Sequence, residues 1–102
     1  MPKQLPPLHP GEVLRLEFIE PLKLSAGKGA RAIGVPRARI ERIVEEKIGI
    51  IGDTAIRLGK FFRTTPDFWM NLQTAYELQL AGKALEGEVE KIEPVELADA
   101  DF

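Results

Sequence analysis

Apolar residues recur at helical spacing along most of this chain, and prolines and glycines interrupt the pattern. Such spacing is typical of amphipathic helices, whereas prolines and glycines mark where helices start and stop. Pro21 ends the first apolar stretch and Gly34 closes the second. The pattern predicts an all-α fold of five helices. These begin near Pro10, Ser25, Pro36, Asp53 and Pro66.

Residues that can cap a helix stand at several of these starting points. Ser25 is the predicted N-cap of helix 2, Asp53 is the predicted N-cap of helix 4, and Thr65–Pro66 opens helix 5. His9 precedes helix 1 and is interpreted as a capping or packing residue, because the sequence supplies no partner ligands for a metal site. The start signals therefore agree with the apolar spacing.

The last two predicted helices each carry a broad apolar face, which we expect to be buried. The predicted face of helix 4 consists of Ala55, Ile56, Leu58, Gly59 and Phe62. The predicted face of helix 5 consists of Phe68, Trp69, Leu72, Ala75, Tyr76 and Leu80. Helix 5 carries more apolar surface than a small domain can hide, so Phe68, Trp69, Leu72, Tyr76 and Leu80 are predicted to form a homodimer contact.

The two ends of the chain depart from this helical pattern. Residues 1–8 are rich in proline and are predicted to form an extended arm. Beyond Gly82 the apolar residues alternate with a period of two in an acidic background, which predicts a flexible acidic tail over residues 82–102. The alternative is a segment that becomes ordered on a partner's sheet edge or basic groove. The folded domain is expected over residues 9–81.

Composition narrows the possible functions. The chain has 102 residues, of which 44% are hydrophobic and 29% charged, and this fits one globular domain. It contains no cysteine and no apolar run long enough to cross a bilayer, so a cytoplasmic protein without processing is expected. With one His, one Tyr, one Trp and Ser25 as its sole serine, it offers little for catalysis. We expect neither an enzyme nor a cofactor.

Charge is distributed unevenly along the chain. Residues 82–102 contain 2 basic and 7 acidic side chains, whereas residues 23–63 contain 10 basic and 4 acidic ones. A positive segment of this kind can bind the phosphates of nucleic acid, although basic residues also solvate the faces of ordinary helices. The middle of the chain is the candidate binding region.

Residues 24–44 have the pattern of a helix-turn-helix motif. This motif needs a small residue where its helices cross, a turn residue that tolerates the left-handed conformation, and apolar residues that fix the crossing. Ala30 and Gly34 meet the first two requirements. The apolar positions are Ile33, Val35, Ile40 and Ile43. Gly29 stands where an apolar anchor is usual, so helix 2 is predicted to be the weak element.

Five segments resemble the HigA antitoxin family, also called the VapI group, within the lambda-repressor-like helix-turn-helix proteins. They are HPGE (9–12), IEPLKLS (19–25), IGVPRARI (33–40), DTAIRLGKFF (53–62) and TTPDFWMNLQTAYEL (64–78). The last segment is the most specific, because it lies outside the general helix-turn-helix motif. The resemblance covers about residues 9–81.

The resemblance implies a five-helix lambda-repressor-like domain that dimerises, binds operator DNA in its own promoter and neutralises a HigB-like ribonuclease toxin. Helix 3 is then the recognition helix in the major groove, with Arg37 and Arg42 reading bases and Lys28, Arg39 and Lys47 holding phosphates. The predicted DNA-contacting set is Ser25, Lys28, Arg37, Ala38, Arg39, Glu41, Arg42 and Lys47.

Some positions depart from the family pattern. Ala26 stands where family members usually carry Gln, and Ile48 replaces a commonly basic loop position. Glu41, Glu45 and Glu46 introduce acidic groups near the end of helix 3, which either accept a hydrogen bond from cytosine or repel the duplex. The alternative function is therefore a protein-interaction module that neutralises a toxin without useful affinity for DNA.

Overall fold

Helices account for most of the computed structural model, which describes residues 6–97. Helix α1 (Pro10–Val13) continues as a π-helical segment (Leu14–Ile19), and five further helices follow. They are α2 (Ala26–Ile33), α3 (Arg37–Val44), α4 (Gly52–Phe62), α5 (Pro66–Ala84) and α6 (Glu86–Val89). Residues 6–97 contain no β-strand. The predicted all-α fold is confirmed, with a short sixth helix in addition.

Side-chain caps start three of the helices as the sequence predicts. His9 Nδ1 accepts a hydrogen bond from the amide of Gly11 at 2.8 Å. Ser25 Oγ accepts one from the amide of Lys28 at 3.0 Å, and Thr65 Oγ1 accepts one from the amide of Phe68 at 3.1 Å. Each bond satisfies an amide that has no partner within its own helix.

The predicted cap of α4 is wrong. This helix begins at Gly52, with Ile51 as its N-cap residue, and no side chain caps it. Asp53 lies inside the first turn, where its charge still favours the positive end of the helix dipole. Its carboxylate is free of the capping role and pairs with arginine side chains instead.

The π-helical segment sets three apolar side chains toward the core. The amide of Glu20 donates to the carbonyl of Arg15 at 2.9 Å, which is the wide turn of a π-helix. Leu14 is fully buried, and both Phe18 and Ile19 are partly buried against the core. Since the wide turn holds more residues than an α-turn, adjacent Phe18 and Ile19 can both lie below Leu14.

Trp69 is the centre of the core. The side chain is completely buried, and its indole N–H donates to Thr64 Oγ1 at 2.8 Å. Its ring centroid lies 5.1 Å from that of Phe18 and 6.5 Å from that of Phe62. Trp69 therefore joins the π-helical segment, α4 and α5. The buried hydrophobic core comprises Leu14, Ala30, Ile33, Ile40, Ile43, Ile50, Ala55, Leu58 and Trp69.

The predicted apolar faces of α4 and α5 are only partly buried. Ile56 is 62% exposed, so it does not belong to the buried face of α4. In α5, Trp69 and the polar residue Gln73 are buried, whereas Ala75 is exposed. Ala75 lies about a third of the way around α5 from Trp69, so its side chain is on a side of the helix that the core does not cover.

The C-terminal part is more helical than the alternating pattern predicts. Helix α5 continues through Gly82 to Ala84, and α6 follows at once, so the predicted boundary at Gly82 lies inside a helix. Every residue from Leu80 to Leu97 is exposed. The period of two therefore reflects neither a strand nor burial. Residues 1–5 and 98–102, which belong to the predicted arm and tail, lie outside the described residues, while residues 6–8 have no regular secondary structure.

Two glycines in helices have opposite surroundings. A Cβ at Gly11 would overlap the carbonyl oxygen of Ile43, because the start of α1 lies directly against the end of α3. Gly29 is also buried, but apart from its sequence neighbours and the local backbone of α2, no atom lies within 4 Å of the position that a Cβ would take. The space beside Gly29 belongs to an apolar cavity. Its lining residues are Leu14, Ile19, Gly29, Ile33, Ile40, Leu58, Phe61 and Phe62.

We therefore expect Gly29→Ala to raise the free energy of unfolding by about 1 to 2 kcal/mol, because alanine favours the helix and fills empty apolar space. The matched change Gly11→Ala should lower it by about 1 to 3 kcal/mol through overpacking against Ile43. Urea unfolding of both variants measures the difference. A loss of stability in Gly29→Ala would show that α2 does not have the space described here.

Candidate nucleic-acid interface

Helices α2 and α3 form the predicted helix-turn-helix. Gly34 ends α2 in the left-handed conformation, with φ of 74°, and the amide of Val35 donates to the carbonyl of Ala30 at 3.0 Å. Pro36 then precedes α3 in an extended conformation, which suits the first residue before a helix. Ala30 is buried at the crossing, as are Ile33, Ile40 and Ile43, so the turn and its apolar contacts are confirmed.

The first turn of α2 lies beside the start of α3. A Cβ at Gly27 would lie 3.6 Å from Cδ of Arg37 and 3.7 Å from Nη1 of Arg31. Ser25 and Lys28 are both exposed at this end of α2. Backbone amides at a helix start favour anions, so the arrangement places cationic side chains around a potential phosphate position.

Helix α3 buries one side and exposes the other. Ile40 and Ile43 pack into the core, whereas Ala38, Arg42 and Glu45 are exposed, and Glu41 is partly exposed. Arg37 and Arg39 lie on opposite edges of this outward side, next to α2 and α4 respectively. A surface with this shape and charge can enter a major groove and contact both base edges and phosphates.

Two of the acidic residues on this side have cationic neighbours. Arg37 Nε lies 3.1 Å from Oε2 of Glu41, and Lys47 Nζ lies 3.3 Å from Oε1 of Glu45. Arg42 forms no ion pair within residues 6–97 and is exposed, so its guanidinium group is available to a ligand. Because exposed pairs contribute little free energy, Arg37 and Lys47 can also exchange their partners for phosphate.

A second group of charges links α3 to α4 and to the turn. Asp53 Oδ1 lies 2.7 Å from Arg57 Nε and 3.4 Å from Arg39 Nη1. Arg57 Nη1 also donates to the carbonyl oxygens of Ile33 at 2.8 Å and Gly34 at 3.3 Å. Arg57 therefore satisfies carbonyls at the end of α2. Sequence analysis missed this residue, because its role depends on a contact between helices and no local pattern marks it.

The loop after α3 is held by a buried side chain. Gln73 of α5 accepts a hydrogen bond from the amide of Ile50 through Oε1 at 2.8 Å. Gly49 lies close to the side-chain amide of Gln73, since a Cβ at Gly49 would come within 2.6 Å of Gln73 Oε1. Gln73 was also missed by sequence analysis. Its effect is to fix the backbone that leads from α3 into α4.

The five residues predicted to form the dimer contact differ in how far they are buried. Trp69 is completely buried within one chain, so its assignment to a contact surface is wrong. Tyr76 is partly buried and packs edge-to-face against His9, with ring centroids 4.8 Å apart. Phe68 and Leu80 are exposed, and Leu72 is partly buried. Four of the five predicted residues thus retain some surface.

Comparison with known proteins gives the family. The antitoxin HigA of Pseudomonas aeruginosa, solved with the higBA promoter, aligns with a TM-score of 0.85 and 43% identity, covering 89% of this chain and 100% of that one. Virulence-associated protein I of Dichelobacter nodosus is 46% identical over 78 residues, which is 76% of this chain and 72% of that protein. This chain belongs to the HigA family of helix-turn-helix antitoxins.

Another solved structure, the antitoxin GraA in complex with its operator, aligns with a TM-score of 0.85 and 37% identity, covering 94% of this chain and 98% of GraA. No protein-family profile matches the chain. Among residues 6–97 no helix has both the length and the apolar character needed to span a membrane. The same residues contain no cluster of His, Asp or Glu side chains that could bind a metal ion.

Glu46 is an unusual residue in this HigA family member. It follows α3 with φ of 63°, in the left-handed region that glycine adopts most easily. Glu45, the preceding residue, has φ of −84°. The amide of Lys47 then donates to the carbonyl of Arg42 at 2.8 Å and closes the helix. The acidic side chain thus occupies a position where its backbone is strained.

We expect Glu46→Gly to raise the free energy of unfolding by up to about 1 kcal/mol, because glycine removes the steric cost of the left-handed conformation. Glu45→Gly is the matched control and should lower it by about 0.5 to 1 kcal/mol, since φ there is already favourable. Thermal and urea unfolding of the two variants provide the comparison. Equal destabilisation by both changes would contradict strain at Glu46.

Proposed function

We propose that this HigA family member is an antitoxin and autorepressor that binds operator DNA through α3. The observation that supports this most directly is the outward side of α3. Arg42, which forms no ion pair within residues 6–97, lies on this side, and Arg37 and Arg39 lie at its edges. HigA of Pseudomonas aeruginosa and GraA, which share this fold, have each been solved with DNA of their own promoter or operator. DNA binding in the cytoplasm is the corresponding proposal for this chain.

The side chains of the interface have distinct proposed roles. Arg37 and Arg42 reach base edges in the major groove, where guanidinium groups recognise guanine. Ala38 lies between them on the outward side and leaves room for a thymine methyl group. Ser25, Lys28, Arg39 and Lys47 surround this area and bind phosphates. Glu41 can accept a hydrogen bond from cytosine N4 once Arg37 turns toward DNA.

A dimer is part of this proposal, because an operator with two half-sites about one helical turn apart, ~34 Å, needs a two-fold protein. Helix α5 provides the candidate contact. Leu80 lies on the same side of α5 as the buried residues Trp69 and Gln73. Its side chain is nevertheless 44% exposed. A second chain can cover this continuation together with Phe68, Leu72 and Tyr76.

Neutralisation of a HigB-like ribonuclease toxin is the other half of the proposed function. It is supported by membership of an antitoxin family and not by a particular contact in this structure. Coexpression with a toxin encoded beside this gene tests it through restored growth and recovery of a complex. Continued growth arrest by that toxin would oppose this half of the proposal without affecting operator binding.

A second candidate function is toxin binding without useful affinity for DNA. It is favoured by Glu41, Glu45 and Glu46, whose carboxylates lie on or near the outward side of α3 and repel phosphates. The double variant Glu41→Gln with Glu45→Asn discriminates between the candidates. If the wild-type protein fails to bind its promoter at low salt and the variant binds, toxin binding without affinity for DNA is the correct function. Tight binding of the promoter by the wild-type protein excludes this candidate.

For the DNA-binding function, we expect wild type to bind the fragment upstream of its own gene with an affinity that falls as salt rises, because counterions are released from phosphates. Arg42→Ala should weaken binding by about 1 to 3 kcal/mol and reduce sequence preference. Lys60→Ala, which changes an exposed residue near the end of α4, is the control. Fluorescence anisotropy at several salt concentrations measures all three proteins. Equal losses for both variants would exclude base reading by Arg42.

For the dimer, we expect Leu80→Lys to weaken self-association by at least tenfold, since it places a charge in a contact that buries apolar surface. Leu78→Lys is the matched control, because Leu78 is 67% exposed on the opposite side of α5. Sedimentation equilibrium of the full chain gives the association constants. A monomeric wild type, or stronger disruption by Leu78→Lys, would contradict the proposed contact.

A further inference from the structure

Asp53 is shared by two arginines that have different surroundings. The side chain of Arg57 is hydrogen-bonded to Asp53 at 2.7 Å and to the carbonyls that end α2, so this pair is fixed to the turn of the motif. Arg39 reaches the same Oδ1 atom at 3.4 Å, which is long for an ionic hydrogen bond. Asp53 is therefore held firmly by Arg57 and more loosely by Arg39.

Arg39 occupies the edge of α3 that faces the start of α4. Its side chain is 34% exposed, and that of Asp53 is 51% exposed, so both lie where a ligand at the outward side of α3 can approach. A carboxylate and a phosphate compete for a guanidinium group, because both are anions that accept the same hydrogen bonds. In the absence of DNA, Asp53 occupies the position of such an anion.

We propose that Asp53 is an internal competitor of the DNA backbone for Arg39. This inference rests on the proposed DNA-binding function. Phosphate must displace Asp53 before Arg39 contributes to binding, whereas Arg57 keeps Asp53 in place throughout. Contacts with arbitrary DNA consist almost entirely of phosphate contacts, so the effect of this competition can be measured most directly on a duplex of random sequence. Asp53 thereby lowers the affinity of the protein for the DNA backbone.

The first test is the salt dependence of binding to a duplex of random sequence. Asp53→Asn should add about one phosphate contact, which steepens the slope of log affinity against log salt by about 0.9. Binding at low salt should also tighten by about two- to fivefold. Asp67→Asn is the matched control, since Asp67 occupies the same position in the first turn of α5 and has no ion pair within residues 6–97. The control should leave the slope unchanged.

The second test removes Arg39 without disturbing the pair of Asp53 and Arg57. Arg39→Met in the wild-type background should change the slope for random DNA little, and by much less than in the Asp53→Asn background, because Asp53 competes with phosphate for Arg39 only in the wild type. In the Asp53→Asn background, Arg39→Met should abolish the added contact. The proposal is overturned if Arg39→Met reduces the slope equally in both backgrounds, or if the gain from Asp53→Asn persists in the double variant. Asp53→Ala gives the same comparison if Asp53→Asn folds poorly.

Operator binding by wild type separates this inference from the function on which it rests. If wild type binds its operator and Asp53→Asn has the same slope as wild type, the competition fails and the repressor function stands. If wild type binds no operator while Asp53→Asn gains an Arg39-dependent phosphate contact on random DNA, the competition stands and the repressor function fails.

Discussion

The burial of Trp69 is the interaction on which the other parts of this structure depend. Its ring lies against Phe18 and Phe62, and its indole N–H is satisfied by Thr64, so a large side chain is buried without an unpaired polar atom. This contact fixes α5 against α4 and the π-helical segment. Gln73, one turn further along α5, can then reach the amide of Ile50 and hold the loop after α3. The position of α3 is thus fixed by residues of other elements that lie on its buried side.

The same dependence explains what could be predicted from the sequence. Ser25, Gly34 and Thr65 act through hydrogen bonds or backbone conformations within a few residues, so local rules place them correctly. The crossing of α2 and α3 also follows a compact pattern of small and apolar residues. For this reason the sequence is sufficient to predict the all-α fold and the helix-turn-helix. It also predicts which helix carries the proposed DNA contacts.

The remaining features depend on contacts between distant elements. Arg57 and Gln73 look like ordinary polar residues of α4 and α5, and their roles arise only because backbone carbonyls and amides of other segments lie beside them. Ile56 has the spacing of a core residue, but its side chain is 62% exposed, because α2 covers the neighbouring side of α4 and leaves Ile56 open to solvent. The short helix α6 was missed because alternation of apolar and acidic residues resembles a strand, although an exposed segment imposes no periodicity of burial.

The position of Trp69 in the chain also affects how the protein is made. Synthesis proceeds from the N-terminus, so α2 and α3 leave the ribosome before Trp69, Gln73 and Tyr76 do. Short helices are marginal without a packed face, so the early part of the nascent chain lacks the residues that stabilise it. Ile40 and Ile43 remain accessible to chaperones and proteases until α5 emerges. Burial of Ile40 and Ile43 is therefore completed only at the end of synthesis, when α5 is free to pack.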